Sequence, residues 1–435
     1  MPPGSSPQAP GAVVSSTSRR ILLAFSHPGY RRFWGHVTFN GAGRVLESMT
    51  VGWLVLEVTD SAFWVGAAAG ARGFGSVAMA PIGGLIADKM DRRLLLILIQ
   101  AARVAIGVTL GMLVLTGHIA LWHILLFAVL QGVLMNMNLP ARNALTLDLV
   151  GREALLNAMA ANMAAMNLMR VLSPLAGGYV MGAVGIAGGF FLMAGADVLG
   201  VVFMLMLGKQ PRRATLHEPV WRTIREGLRY SLGRGPIRSL LGLSLLMETF
   251  AFSYHTMLPV IARDVLGVGS LGLGFLMAAG GFGAFLGTVT VASLGDFRHK
   301  GWLLVGTAAG FGVFLILFAF SHWFFLSLAL VALAGSMSMS YDSIMTTLLQ
   351  MLSPDEMRGR VLGLHASTLG FSTLGGLQTG AIASAVSAPF AVGLGGAIAL
   401  AYALWTARRA PRLQSAEAGP ARPVVARAGP PKDGS

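Results

Sequence analysis

The sequence predicts an all-α membrane protein whose chain crosses a bilayer twelve times in two matching six-helix halves. Three observations predict it: a composition too apolar for water, long apolar stretches that recur from end to end, and cations gathered in alternate connections. Of 435 residues, 54% are hydrophobic and 11% charged, with a mean hydropathy of +0.69, which leaves too few polar groups for a water-facing exterior. The formal charge of +14 raises nucleic acid as a partner, a reading that the positions of the cations must decide. The 57 glycines suit close helix packing and the 23 methionines an adaptable apolar cavity lining. Without cysteine there is no disulfide, thiolate nucleophile or cysteine-held metal.

Residues 1–30 open with a run rich in Pro, Ser, Gly and Ala that lacks apolar periodicity, and a disordered arm is expected there. Arg19-Arg20 before Ile21-Leu22-Leu23 hints at a twin-arginine export signal, but His27-Pro28-Gly29 ends the apolar run too soon. From Phe33 onward, stretches long enough to cross a hydrocarbon core of roughly 30 Å recur. They fall at 34–57, 62–87, 94–116, 119–140, 155–182, 187–208, 237–262, 270–294, 302–320, 323–350, 359–385 and 389–407.

The odd-numbered connections, such as Thr59-Asp60-Ser61, Gly117-His118 and Gly185-Ile186, hold almost no cation, with Arg263 the exception. The even-numbered ones carry Lys89, Arg92 and Arg93, then Arg142 and Arg152, then Lys209 through Arg234, then Arg298 and Lys300, then Arg358 and Arg360. By the positive-inside rule both termini are cytoplasmic. Positive charge spread over every loop of one face suits anionic lipid headgroups and removes nucleic acid as a partner.

The largest connection, 209–236, divides the chain into halves at 31–208 and 237–409, and a disordered cytoplasmic tail is expected at 410–435. Within the connection Trp221, Ile224 and Leu228 share one helical face with Arg222, Arg225 and Arg229 beside them, the pattern of an interfacial amphipathic helix. A faint internal repeat supports the division: Asp88 and Arg92 after the second span are echoed by Asp296 and Lys300 after the eighth, and Leu149–Glu153 by Met351–Asp355.

The connection Gly84-Leu-Ile-Ala-Asp-Lys-Met-Asp-Arg-Arg93 resembles the signature loop between helices 2 and 3 of major facilitator superfamily transporters. Gly84, Asp88, Arg92 and Arg93 match it, and Asp91 stands where glycine is commoner. Thr59-Asp60-Ser61-Ala62 and Met357-Arg358-Gly359-Arg360-Val361 resemble sequences of the enterobactin-exporter and macrolide-efflux branch of that superfamily. Ser173-Pro174-Leu175-Ala176-Gly177-Gly178 resembles the helix 5 motif of exporters, with Ser173 in place of glycine.

The resemblance implies two six-helix bundles working by alternating access as a monomer in a bacterial cytoplasmic (inner) membrane. It implies proton-coupled export of a small amphipathic compound such as a drug, siderophore or secreted metabolite, with no cofactor and the proton gradient as energy source. An importer or uniporter, or a non-transporting receptor or scaffold, are the other readings. It further implies that Asp88 reaches the helix 11 start near Met357 and the guanidinium of Arg358 or Arg360, latching the cytoplasmic gate; the plain alternative is a solvated turn carboxylate.

Ionisable groups inside spans are costly and are expected to face protein or a watery cavity. Arg44 and Glu47 sit three residues apart on one face, either as a mutual ion pair or as cavity groups. Arg72 and Arg170 could serve structure or pathway, whereas Arg103 and Asp197 are expected to be structural. The resemblance puts helix 7 in the cavity wall, so Glu248 is the expected proton carrier and Tyr254 and His255 are expected substrate contacts. Asp342 is the second carboxylate candidate. Asn136, Asn138, Asn162 and Asn167 read as interhelical hydrogen-bonding groups. The clusters at Gly280-Gly281, Gly283, Gly287 and Gly375-Gly376 read as close-packed helices. No Walker loop, metal-ligand cluster or nucleophile with its base occurs, so neither an enzyme nor ATP coupling is expected.

Overall fold

The computed structural model of the chain describes residues 23–208, 220–295, 299–368 and 370–408, with the side chains of all these except 80–89 and 220–224. Among the described residues all regular structure is helical.

A short turn at Ala24–Ser26 leads into α1 (Pro28–Thr59), where proline in the first turn gives up an amide that would have no intrahelical partner anyway. Asp60, in the left-handed region at φ 48°, ends α1, and α2 (Ala62–Lys89) starts two residues later. The Asp91 carboxylate accepts from the Leu94 N–H at 3.0 Å and so caps α3 (Arg92–Leu115), which accounts for aspartate at a position where the resembling loop favours glycine. α4 (Leu121–Val184) is two helices joined at Gly151, whose φ of 69° suits glycine, and α5 (Ile186–Leu205) follows.

After α6 (Val220–Gly233) comes α7 (Gly235–Leu246), then a π-helical turn Met247–Ala251, α8 (Tyr254–Val260) and a second π-helical turn Ile261–Val265. The remaining helices are α9 (Ser270–Leu294), α10 (Lys300–Ala319), α11 (Phe324–Leu352), α12 (Asp355–Thr368), α13 (Phe371–Ala385) and α14 (Ala388–Ala407). Each of the twelve apolar stretches falls on helix, and among the described residues seven helices are long and apolar enough to cross a membrane. The seventh and eleventh stretches are each broken into shorter helices.

Three boundaries differ from expectation. The connection expected around 141–154 is helical apart from Gly151, because one glycine outside helical φ/ψ turns the chain without a loop, and Arg142 is therefore a buried helical residue and not a surface cation. The seventh stretch runs on to Val265, so Arg263 belongs to its last helical turn. In the linker, Gly227 of α6 packs on Arg360 and Glu226 pairs with Arg360 at 2.7 Å, so α6 is docked on α12 with Leu228 left exposed. Trp221, Arg222 and Ile224 lie outside the described side chains.

α1 packs on α4 and α5, α2 on α4, and α3 on α5, while later in the chain α9 packs on α11 and α10 on α11 and α14. Two seams join these early and late helices: α2 against α13 and α4 against α9. Both seams are antiparallel and tight enough that a Cβ on Gly380 would lie 2.8 Å from the Ala62 carbonyl oxygen, and one on Gly178 2.7 Å from that of Ser270. These two approaches sit in the part of each helix remote from the start of α1, and Gly281 meets the Arg170 carbonyl near mid-helix. The far ends of the early and late helices are thus tightly packed against each other.

Candidate functional site

A cavity of about 320 Å³ lies between the early and late helices. Phe127, Met135, Phe190 and Met193 line it from the early helices and Phe252 and Pro259 from the late ones, so its body is apolar, while Glu47, Arg72, Gln131, His255 and Ser372 supply polar points. That mix holds an amphipathic small molecule.

Glu47 is the hub of the early side. Its Oε2 accepts from Arg103 Nη1 at 3.0 Å and its Oε1 lies 3.7 Å from Arg72 Nη1. Arg103 also reaches Gln131 Oε1 at 3.2 Å and Asp197 Oδ2 at 3.3 Å, and Gln100 donates to Asp197 Oδ1 at 2.7 Å. Two carboxylates and two guanidinium groups balance one another, as buried ions must. The pairing of Arg44 with Glu47 allowed by their spacing does not form: Glu47 turns to α2 and α3 instead, and the buried Nε of Arg44 has no hydrogen-bond partner. Asp197, fully buried, is a positioning partner for Arg103 and through it for Glu47.

On the late side, Glu248 is 5% exposed and lies in the first π-helical turn. A π turn shifts the helical register, and Phe252, His255 and Thr256 face the cavity while Glu248 instead hydrogen-bonds to Ser372, itself a cavity residue. Tyr254, expected as a substrate contact, is buried behind His255, its ring 4.1 Å from that imidazole and edge-on to Phe311 at 6.0 Å, with its hydroxyl unpartnered. His255 does line the cavity. Asp342 Oδ1 lies 3.3 Å from His365 Nε2, and His365 Nδ1 lies 3.0 Å from Ser244 Oγ. Arg170 is partly buried and within electrostatic reach of Asp342 and Tyr254.

The gate residues divide. The side chain of Asp88 and the surroundings of Gly84 lie outside the described residues. Arg92 pairs with Asp148, and Arg93 donates to the carbonyls of Met204 and Leu205 at 3.1 Å, closing the end of α5. Arg358 pairs with Asp355 at 2.7 Å and Arg360 with Glu226, so both are held among the late helices in this conformation. In the helix 5 motif, Ser173 is buried, Gly177 faces Leu46 and Met49 of α1, and Pro174 and Gly178 face α9. At the far end Arg263 donates to the Leu56 carbonyl at 3.1 Å and pairs with Asp60 and Asp264, tying α1 to the end of the seventh stretch. Asn136 donates to the Ser76 carbonyl of α2 at 2.9 Å, and Asn162 accepts from the Tyr30 hydroxyl at 3.0 Å.

Sequence reasoning missed Gln131, Ser372 and His365, which as isolated polar residues gave no pattern in apolar helices, and it misread Arg142, although Asn138 four residues earlier marked a polar helix face.

Long apolar helices joined by antiparallel seams around a central amphipathic cavity define a multi-pass membrane transporter of the major facilitator type, not an enzyme. The chain belongs to the transmembrane secretion effector family, whose model matches residues 21–428. It is similar to the enterobactin exporter of Escherichia coli O1:K1 / APEC, 26% identical over 381 residues that span 86% of this chain and 91% of the relative. Among solved structures it resembles a peptide transporter of the POT family in complex with sulfate, with a TM-score of 0.71 at 13% identity over 90% of this chain and 96% of that one. An inward-facing bacterial homologue of the iron transporter ferroportin gives a TM-score of 0.67 at 18% identity over 89% and 98%.

Proposed function

We propose that the protein is a proton-coupled exporter of small amphipathic compounds, acting by alternating access between two six-helix bundles, 31–208 and 237–409, tethered by 209–236. It works as a monomer in a bacterial inner membrane, with both termini cytoplasmic. The observation that carries this reading is the position of the cavity: it is walled by both sets of helices, beside the two antiparallel seams that join them. The export direction is supported by the helix 5 motif and by the activity named for the enterobactin exporter.

Glu248 carries the proton. It is buried, lies in a π turn of the helix that lines the cavity, and communicates with substrate through Ser372. Proton coupling then means that Glu248→Gln accumulates the compounds that the parent expels, measured as efflux from a pump-deficient host with and without a protonophore. In proteoliposomes the same variant still exchanges substrate across the membrane without a pH gradient. Unchanged pH-driven efflux in Glu248→Gln assigns the proton to another residue, and failure of the parent to expel any compound of a broad panel removes the exporter.

A further inference from the structure

Among the described residues, three arginines of the early helices make no direct ion pair. Arg142 is 7% exposed and its Nη1 is buried without a hydrogen-bond partner; the same holds for the Nε of Arg44. Arg170 completes the set, and Arg44 lies within electrostatic range of both Arg142 and Arg170. The helices explain the meeting: α1 near Gly41 packs on Met166 and Met169 of α4, which brings Arg44 alongside Arg170, and Arg142 comes from the other limb of α4.

The carboxylates within electrostatic reach, Glu47 of Arg44 and Asp342 of Arg170, each have a closer partner. Glu47 is held by Arg103 and Arg72, and Asp342 by His365. Three guanidinium groups gathered in a membrane protein's interior repel one another and are costly without an anion. Asn138, one turn before Arg142 on the same face and 7% exposed, adds an unpartnered Nδ2 donor.

The cluster also has a fixed place relative to the cavity. Arg44 precedes the cavity residues Glu47 and Ser48 by one turn, while Asn138 and Arg142 follow Gln131 and Met135 on α4, so Arg44 and Arg142 lie next to the cavity on the side toward the start of α1. An apolar pocket with unpaired donors adjoining one end is shaped for a molecule with an apolar body and an anionic head.

We infer that the transported substrate is an amphipathic organic anion, its apolar part in the cavity and its carboxylate or phenolate among Arg44, Arg142 and Arg170, an assignment that rests on the exporter reading. Guanidinium forks suit such planar oxyanions, and the anion would neutralise the cluster while it is bound.

The test uses full-length protein in nanodiscs and four probes at equal concentration: 2-naphthoate, 2-naphthamide, 2-naphthyltrimethylammonium and sodium sulfate. Naphthoate alone should raise the melting temperature, and its half-saturating concentration should rise about ten-fold or more in Arg142→Gln and in Arg44→Gln, less in Arg142→Lys. Equal stabilisation by the amide or the ammonium overturns the proposal, as does an effect that sulfate reproduces, which would mark an inorganic-anion site. So does no stabilisation by naphthoate, or an unchanged naphthoate response in an Arg44→Gln/Arg142→Gln/Arg170→Gln triple variant that melts like the parent. Counterflow of the same naphthyl probes in proteoliposomes separates the two readings: movement of the amide or ammonium but not naphthoate keeps the transporter and removes the anion, whereas naphthoate binding without movement of any probe keeps the anion site and removes transport.

Discussion

Gly178 sits where α4 and α9 touch, and Gly178→Ala is expected to prise the far-end seam open. A Cβ there would lie 2.7 Å from the Ser270 carbonyl oxygen and 3.1 Å from the Cα atoms of Leu271 and Gly274. All three neighbours are backbone, so no side chain can swing aside, and the helices must part by about 0.7 Å to reach ordinary contact. Overpacking of this kind costs roughly 1–3 kcal/mol. Borne only by the conformation in which the seam is closed, it shifts the balance toward the far-open form by about 5–150-fold. The chain has no cysteine, so a single Ser48→Cys on the cavity wall can be read without background. An impermeant maleimide added from the far side should label that cysteine faster in Gly178→Ala by a factor in that range. Gly195→Ala, where a new Cβ meets nothing within 4 Å, serves as the control and should leave the rate unchanged. Equal labelling in Gly178→Ala and the parent, in protein that is folded and inserted, refutes the seam as the far gate.

Two further substitutions probe the remaining parts. Arg103→Leu leaves Glu47 and Asp197 without their principal cation and should cost about 3–5 kcal/mol of stability, read from unfolding of the purified protein; a loss below about 1 kcal/mol would mean that the buried network is not held by this guanidinium. Asp88→Asn should lower transport while expression and insertion persist, and turnover equal to the parent removes the latch between the signature loop and the start of α12.

The apolar stretches were legible because a bilayer core imposes length and composition directly on sequence, and each stretch lies on helix. Turning points were less so. Gly151 reverses α4 with one residue, and the π turns at Met247–Ala251 and Ile261–Val265 alter register without any signal in composition. The same limit governs the site. Spacing put Arg44 and Glu47 on one face, but which cation Glu47 takes depends on α2 and α3, which arrive from elsewhere in the chain. Tyr254 and His255 are neighbours in sequence with rings 4.1 Å apart, yet His255 lines the cavity whereas Tyr254 is buried against Phe311, a difference that spacing alone does not give. Arg142 was read as a topology-setting loop cation because the apolar stretch stops at residue 140, whereas α4 continues through Pro140 and beyond.

The most direct measurement is a pair of spin-label distances in the cysteine-free chain, one across the far end between Ser61→Cys and Val268→Cys, one across the near end between Glu153→Cys and Met351→Cys. Alternating access predicts a short far-end and a long near-end distance in the resting protein, exchanging in opposite senses when substrate or a proton gradient is applied. Two distances that stay fixed, or that lengthen together, contradict it.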